Sequence, residues 1–170
     1  AAGVACVRAL ERCDVRGVTL KWPNDLLHAG RKLGGILVEA APDGAGTVVV
    51  CGVGLNTRLP AALRSRIAQP VTDVASFTRT PPSRSVLLAT LLEELAAAMG
   101  RFAADGFAAF RDAWLLRHAH QGMRVRIALA DARGAEGQAL GVDEQGALLI
   151  EDAGRIERFH SGEVSVRVAP

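Results

Sequence analysis

An α+β fold, with a mixed β-sheet and packed helices followed by a small β-barrel, follows from three features of the 170-residue sequence. Apolar residues recur at helical spacing in two places, at Val4, Val7 and Leu10 and again at Val86, Leu87, Leu91, Leu95 and Met99. Between them lie three runs of β-forming residues divided by turn residues. From Met123 onward the pattern changes to short alternating strands joined by glycines.

The first helix spans residues 4–10, with Arg8, Glu11 and Arg12 on its polar side, and ends near Cys13. Strands are expected at residues 18–22, 35–39 and 47–55, with turns at Asn24-Asp25, at His28-Ala29-Gly30 and at Pro42-Asp43-Gly44-Ala45-Gly46, a hairpin loop. A short helix opens at Pro60, because proline suits the first helical turn. Ser83, following Pro81-Pro82, is placed to cap the long helix by accepting from a free backbone N–H. Gly100 and Gly106 are expected to break it from a second helix over residues 107–116. Strands 125–129, 138–142, 148–150, 156–159 and 164–168 then form the small barrel. The division falls near Gln121-Gly122, giving two units, 1–121 and 122–170.

Composition narrows the function. A 49% hydrophobic and 22% charged chain is a globular protein with a real core. The formal charge is +2 with basic residues scattered, so a general electrostatic grip on nucleic acid is not expected. In residues 122–170, six arginines stand against eight acidic residues, which disfavours phosphate binding by the barrel. An odd set of three cysteines, Cys6, Cys13 and Cys51, argues against a disulfide framework and for a reducing cytoplasm. No apolar stretch reaches the roughly 20 residues that span a bilayer. His28, His118, His120 and His160 read as surface or loop residues, and Trp22 and Trp114 as core. The sequence begins as if inside a helix and is expected to be a fragment or a truncated product.

The chemistry-bearing cluster is Lys21-Trp22-Pro23-Asn24-Asp25, then Lys32-Leu33-Gly34-Gly35-Ile36-Leu37-Val38-Glu39, then Gly52-Val53-Gly54-Leu55-Asn56. Lys21 and Lys32 are the only lysines in the chain. Three neighbouring strand ends therefore offer two ammonium groups, one acid and a floor without side chains. That set suits activation of a carboxylate by a nucleoside triphosphate, because a positioned ammonium offsets the repulsion between carboxylate and α-phosphate. An acid such as Asp25 can hold Mg²⁺ through water or fix a lysine, and glycines let a flat ligand lie on the backbone. Taken singly, each piece has a plainer account: a strand-end charge, an Asx turn, a glycine pair that matches no phosphate loop.

Taken in order, the three pieces resemble the biotin protein ligases. The likeness continues at Gly137, Gly141-Val142-Asp143, Gly146-Ala147-Leu148-Leu149 and Ser161-Gly162-Glu163-Val164-Ser165 and covers nearly the whole chain. The resemblance implies a biotin/lipoate ligase-like catalytic unit, N-terminally incomplete, followed by an SH3-like barrel. It implies formation of biotinyl-5′-AMP from biotin and Mg·ATP, and transfer of biotin to a lysine in the carrier domain of a carboxylase. By position, Lys32 matches the lysine that contacts the biotin carboxylate and the α-phosphate. Asp25 then positions metal or acceptor lysine, and Lys21 supports the phosphate side. Gly35, Ile36, Gly52 and Gly54 join Lys32 in the biotin pocket, and Trp22, Asn24 and Asn56 lie toward the nucleotide. The Trp-Pro-Asn-Asp string and the barrel favour biotin over lipoate.

Two departures accompany the likeness. The family's Gly/Arg-rich loop, which closes over the adenylate, is not in this sequence, nor is a winged-helix DNA-binding unit. Residues 71–74 lack the Trp that some members place against adenine. A truncated, inactive relative acting as a binding or dimerisation module is the alternative. On either reading a truncated domain is expected to expose an apolar sheet, which invites edge pairing into a homodimer.

Overall fold

A computed structural model describes residues 1–44, 46–129, 134–160 and 164–169. The expected turn residue Ala45, the charged residues Asp131 and Arg133, and Ser161-Gly162-Glu163 of the C-terminal motif lie outside the described residues.

Helix α1 (Ala2–Arg12) turns Val4, Ala5, Cys6, Val7, Ala9 and Leu10 inward. It lies against a four-stranded sheet in the order β1 (Val18–Lys21), β2 (Asp25–His28), β3 (Arg31–Asp43) and β4 (Gly46–Leu55). After the short α2 (Ala61–Arg64), helix α3 (Arg84–Asp105) packs on α1, and α4 (Ala108–Leu115) leads into the second sheet. That sheet has the order β8-β7-β6-β5-β9, with β5 (Arg124–Leu129), β6 (Gly134–Val142), β7 (Leu148–Asp152), β8 (Arg155–Phe159) and β9 (Val164–Val168). One apolar cluster runs from Val4, Leu10 and Leu26 through Phe110 and Trp114 to Val125, Ile127 and Ile150, so both sheets share a core.

Several expectations need correcting. The first sheet is antiparallel throughout rather than mixed, because each strand follows its neighbour through a short turn; only isolated bridges, Leu20 with His118 and Lys32 with Val71, are parallel. Asp25–His28 is a strand, not turn material. It is four residues long, and a register shift between Leu26 and Leu27 buries both leucines, which hides the period-2 signal. Among the described residues the second sheet is open, with β8 and β9 as its two edges rather than closed into a barrel. Gly100 lies within α3: an interior glycine costs only about 1 kcal/mol relative to alanine. Gly106, at φ +67°, is the terminator. Ser83 does cap α3, its Oγ accepting from Val86 N–H at 3.3 Å.

His118 and His120 are buried, not surface residues. The chain after α4 is laid along β1, where Leu20 N–H donates to Arg117 O at 2.7 Å and Ala119 N–H donates to Leu20 O at 2.8 Å. Burial holds both imidazoles below their ordinary value, with His120, near His118 and Lys21, lowered to about 4. The unfolded chain takes up these protons near pH 6.5 and the folded chain only at lower pH, so stability is complete above about pH 6.5 and falls as pH drops toward 4. His120 alone should remove about 2 kcal/mol at pH 5. Thermal denaturation should therefore show a midpoint several degrees lower at pH 5 than at pH 7.5; an unchanged midpoint would contradict the burial of a neutral ring.

The long β3–β4 hairpin leaves Leu37, Val38, Val48, Val49 and Val50 exposed, the apolar sheet surface anticipated from the sequence. Among the described residues no helix is long and apolar enough to cross a membrane.

Candidate active site

The site is a row across the first sheet. Lys21 ends β1, and the turn Trp22-Pro23-Asn24, with a cis Trp22–Pro23 bond, brings Asp25 to the start of β2 directly opposite it. On the other side of Asp25 stands Gly35 of β3, and beyond Gly35 stands Gly54 of β4. Lys32 enters from the near end of β3. Two side chains thus flank one carboxylate while glycines occupy the next two positions in the row.

The carboxylate is bracketed by ammonium groups. Lys32 Nζ lies 2.6 Å from Asp25 Oδ1 and Lys21 Nζ lies 3.6 Å from Oδ2. Asp25 is largely buried while both lysines retain partial access to solvent. Two cations share one anion, leaving a net positive charge beside a cleft whose low-dielectric walls focus its field. This arrangement can receive an anionic group and follow its charge as a bond forms.

The floor is open for a reason that can be read from the backbone. A Cβ on Gly52 or Gly54 would meet nothing closer than 3.8 Å, so a side chain would fit at either position and its absence leaves the floor low. A Cβ on Gly35 would sit 3.5 Å from Asp25 Oδ1 and 3.6 Å from Lys32 Cε, in ordinary contact with the ion pair. Asn24, Asp25, Lys32, Gly35, Ile36, Gly52 and Gly54 line one cleft of about 430 Å³. Seven of the residues expected to form the site therefore converge. Lys21, Trp22, Asn24 and Asp25 also border an adjoining cleft of about 560 Å³ that reaches Trp114.

Four side chains hold the row in place. Asn24 Nδ2 donates to Ile36 O at 2.8 Å while Ile36 N–H donates back to Asn24 O at 2.9 Å, a reciprocal clamp between turn and strand. Trp22 is buried as the sequence implied, and its Nε1–H donates to Gly146 O at 3.1 Å, tying the turn to the β6–β7 connection. Asp143 shapes that connection by accepting from the N–H groups of Gln145 and Ala147. Asn56 is not among the residues that line the glycine-floored cleft; its Nδ2 donates to Thr72 O at 3.1 Å in a backbone clasp. That clasp continues with Lys32 N–H to Pro70 O and Thr72 N–H to Lys32 O, both 2.9 Å, and steadies the backbone of Lys32.

Sequence reasoning missed Gly34 and the Pro70-to-Thr72 clasp. A Cβ on Gly34 would press against the carbonyl oxygen of Gly54, so the first glycine of the pair serves strand contact and the second serves the cleft. The Gly-Gly doublet was the available signal. The clasp had none, since Val71 and Thr72 join Lys32 only through backbone atoms.

The donor set does not suit a protein-held Mg²⁺. Magnesium is bound through one or two carboxylates with waters and phosphates, and here the only acid of the row is already flanked by two cations. Among the described residues no group of three His, Cys, Asp or Glu side chains could hold a metal ion.

The family model "Biotin/lipoate A/B protein ligase family" matches residues 2–56, which hold the whole row, and "Biotin protein ligase C terminal domain" matches residues 120–167. A biotin–[acetyl-CoA-carboxylase] ligase of Paracoccus denitrificans is 33% identical over 168 residues, covering 91% of this chain and 69% of that protein. The chain belongs to the biotin protein ligase family. The bifunctional ligase/repressor BirA of Escherichia coli is also 33% identical, over 98% of this chain but 52% of its own length. The chain thus spans about half the length of that ligase. A biotin protein ligase of Aquifex aeolicus, solved with biotin and ATP, superposes with a TM-score of 0.83 at 23% identity, covering 99% of this chain and 69% of that one; it shares the fold.

Proposed function

We propose that this chain carries the catalytic row of an ATP-dependent biotin protein ligase. The reaction joins biotin and Mg·ATP into biotinyl-5′-AMP with release of pyrophosphate, then passes biotin to a lysine of a carboxylase's biotin carboxyl-carrier domain. The observation that carries this reading is the Lys21–Asp25–Lys32 bracket at the edge of a glycine-floored cleft. Membership of the ligase family supports it.

Lys32 neutralises the biotin carboxylate and α-phosphate as they meet, a role that asks for a compact point charge within reach of both. Lys21 attends the phosphate side. Asp25 orients the two ammonium groups and keeps them from occupying the space the ligand needs. Gly35, Ile36, Gly52 and Gly54 receive biotin, with Trp22, Asn24 and Asn56 toward the nucleotide; Asn56 also holds the clasp. Mg²⁺ arrives with ATP as part of the substrate and is not assigned to Asp25. The chain divides into a partial catalytic domain, 1–121, and a C-terminal domain, 122–170, of SH3-like type, and it works in the cytoplasm. What supports the division is the change of sheet near Gly122 and the separate family match beyond residue 120.

The test is to incubate the purified chain with biotin, Mg·ATP and a biotin-carrier domain, following carrier mass and pyrophosphate together. A mass gain of one biotin on the carrier, dependent on ATP, is expected. A folded chain that releases no pyrophosphate and leaves the carrier unmodified would contradict the reading.

A further inference from the structure

We propose that Asp73 is a positioning residue for Lys32, acting through the backbone clasp that grips the lysine at the edge of the sheet. The catalytic consequence rests on the ligase reading above; the geometry stands on the sheet itself.

Lys32 sits where the sheet supports it least. On the β4 side the ladder ends with Gly34 opposite Leu55, so no β4 residue pairs with Lys32. On the β2 side Gly34 faces Leu26 while Lys32 faces Leu27, which leaves Leu33 as an extra residue beside the lysine. Residues 70–72 take up the edge beyond the end of β4. Val71 forms an isolated parallel bridge with Lys32, made by the two 2.9 Å bonds to Pro70 O and from Thr72 N–H. The direction of Lys32 is therefore set by how firmly that segment is held.

One buried carboxylate holds it. Asp73 follows Thr72 directly and is 2% exposed. Its Oδ2 accepts from Leu59 N–H at 2.9 Å and from the Arg64 guanidinium, and its Oδ1 accepts from the Ser76 hydroxyl at 2.8 Å. The donors come from the exit of β4, from α2 and from the short helical turn Val74–Ser76, so the stretch from 57 to 76 is drawn together at its neck. Val74 N–H donates to Asn56 O and Asn56 N–H to Leu33 O, both at 2.9 Å, which ties that neck back to β3 one residue from Lys32. A carboxylate buried this far is tolerated only where donors satisfy it on every side, and an uncharged side chain would fill the same space without gathering three segments.

The same segment also borders the chemistry. Ala68, Gln69 and Pro70 line a cavity of about 570 Å³ together with Lys21, Asp25 and Lys32. Lys32 Nζ stands 2.6 Å from Asp25 Oδ1, and a displacement of about 1 Å in a positioned group is enough to cost as much as 10²-fold. Asp73 touches neither ligand nor lysine side chain; it acts on the backbone that aims the ammonium.

The experiment uses the two lysines of the chain as its reporters. Protein carrying ¹³C-lysine gives two side-chain signals, which Lys32→Arg assigns. Asp73→Asn keeps the shape and removes the charge. Expected in D73N is a displaced Lys32 Cε signal, larger than any change at Lys21, with affinity for biotinyl-5′-AMP weakened by about tenfold. In a K32A background the same substitution should change affinity by less than about twofold, since no ammonium is left to misplace. Arg64→Gln removes one donor and leaves the carboxylate; it should give smaller changes of the same kind and decides the matter if D73N does not fold. An unmoved Lys32 signal in the folded variant overturns the proposal. So does an equal loss of affinity with and without Lys32, which marks a residue that acts on the fold alone. A wild-type chain that does not bind the adenylate overturns the ligase reading, and the Lys32 signal still decides whether Asp73 positions the lysine.

Discussion

Replacing Lys32 with alanine is expected to lower biotinyl-5′-AMP formation by about 10²–10³-fold, the usual cost of removing one positioned charge from a site where charge develops. The ammonium lies 2.6 Å from Asp25, and without it Asp25 keeps only Lys21 at 3.6 Å. The acid would then face an incoming carboxylate with much less compensation, and two like charges would approach across a cleft of low screening. Lys32 is partly open to solvent, so the folded state should lose little and the thermal midpoint should stay within a few degrees of wild type. Arginine should not restore the rate, because a planar fork does not replace a compact point charge in this space. Pyrophosphate release by K32A, K32R and wild type, measured beside their melting curves, checks the prediction. A K32A rate near wild type would remove Lys32 from the chemistry.

Alanine at Gly34 is expected to act on stability instead, by about 3 kcal/mol or more, enough to unfold a domain of ordinary margin. Its methyl group would press on the Gly54 carbonyl and lie near Leu55 Cα, and both are backbone atoms that cannot step aside without parting β3 from β4. Alanine at Gly35 gives the contrast. Its methyl group meets the Lys32 stem and Asp25 at ordinary distances, so the fold should survive while the floor of the biotin cleft narrows and adenylate formation falls. Chemical denaturation of G34A and G35A side by side tests both halves. Equal stability in the two variants would show that the doublet does not divide its work as described.

The adjacency of these two glycines shows what a sequence discloses and what it withholds. The Lys-Trp-Pro-Asn-Asp string, the Lys-Leu-Gly-Gly doublet and Gly-Val-Gly are local, and their order along three strand ends was enough to assemble the row. The helices were legible because their apolar spacing is regular, and Ser83 was legible as a cap because proline precedes it. What stayed hidden depends on partners distant in the chain. Asp25–His28 could not be seen as a strand because a bulge puts two consecutive leucines inside. His118 and His120 looked like loop residues until their backbone was found along Leu20. The hydrogen bond from Asn56 Nδ2 to Thr72 O, a group 16 residues away, has no local signal. Closure of a β-barrel is likewise decided by how edge strands meet, and among the described residues β8 and β9 are not paired with each other.

Direct titration of the folded wild-type chain with biotinyl-5′-AMP, followed by calorimetry, tests the central claim most simply, because it asks whether the bracket and the glycine floor recognise the adenylate without depending on turnover. Saturable one-to-one binding that is weakened by K32A is the predicted result. A folded chain with no measurable affinity for biotinyl-5′-AMP, or one whose affinity is indifferent to Lys32, would contradict it.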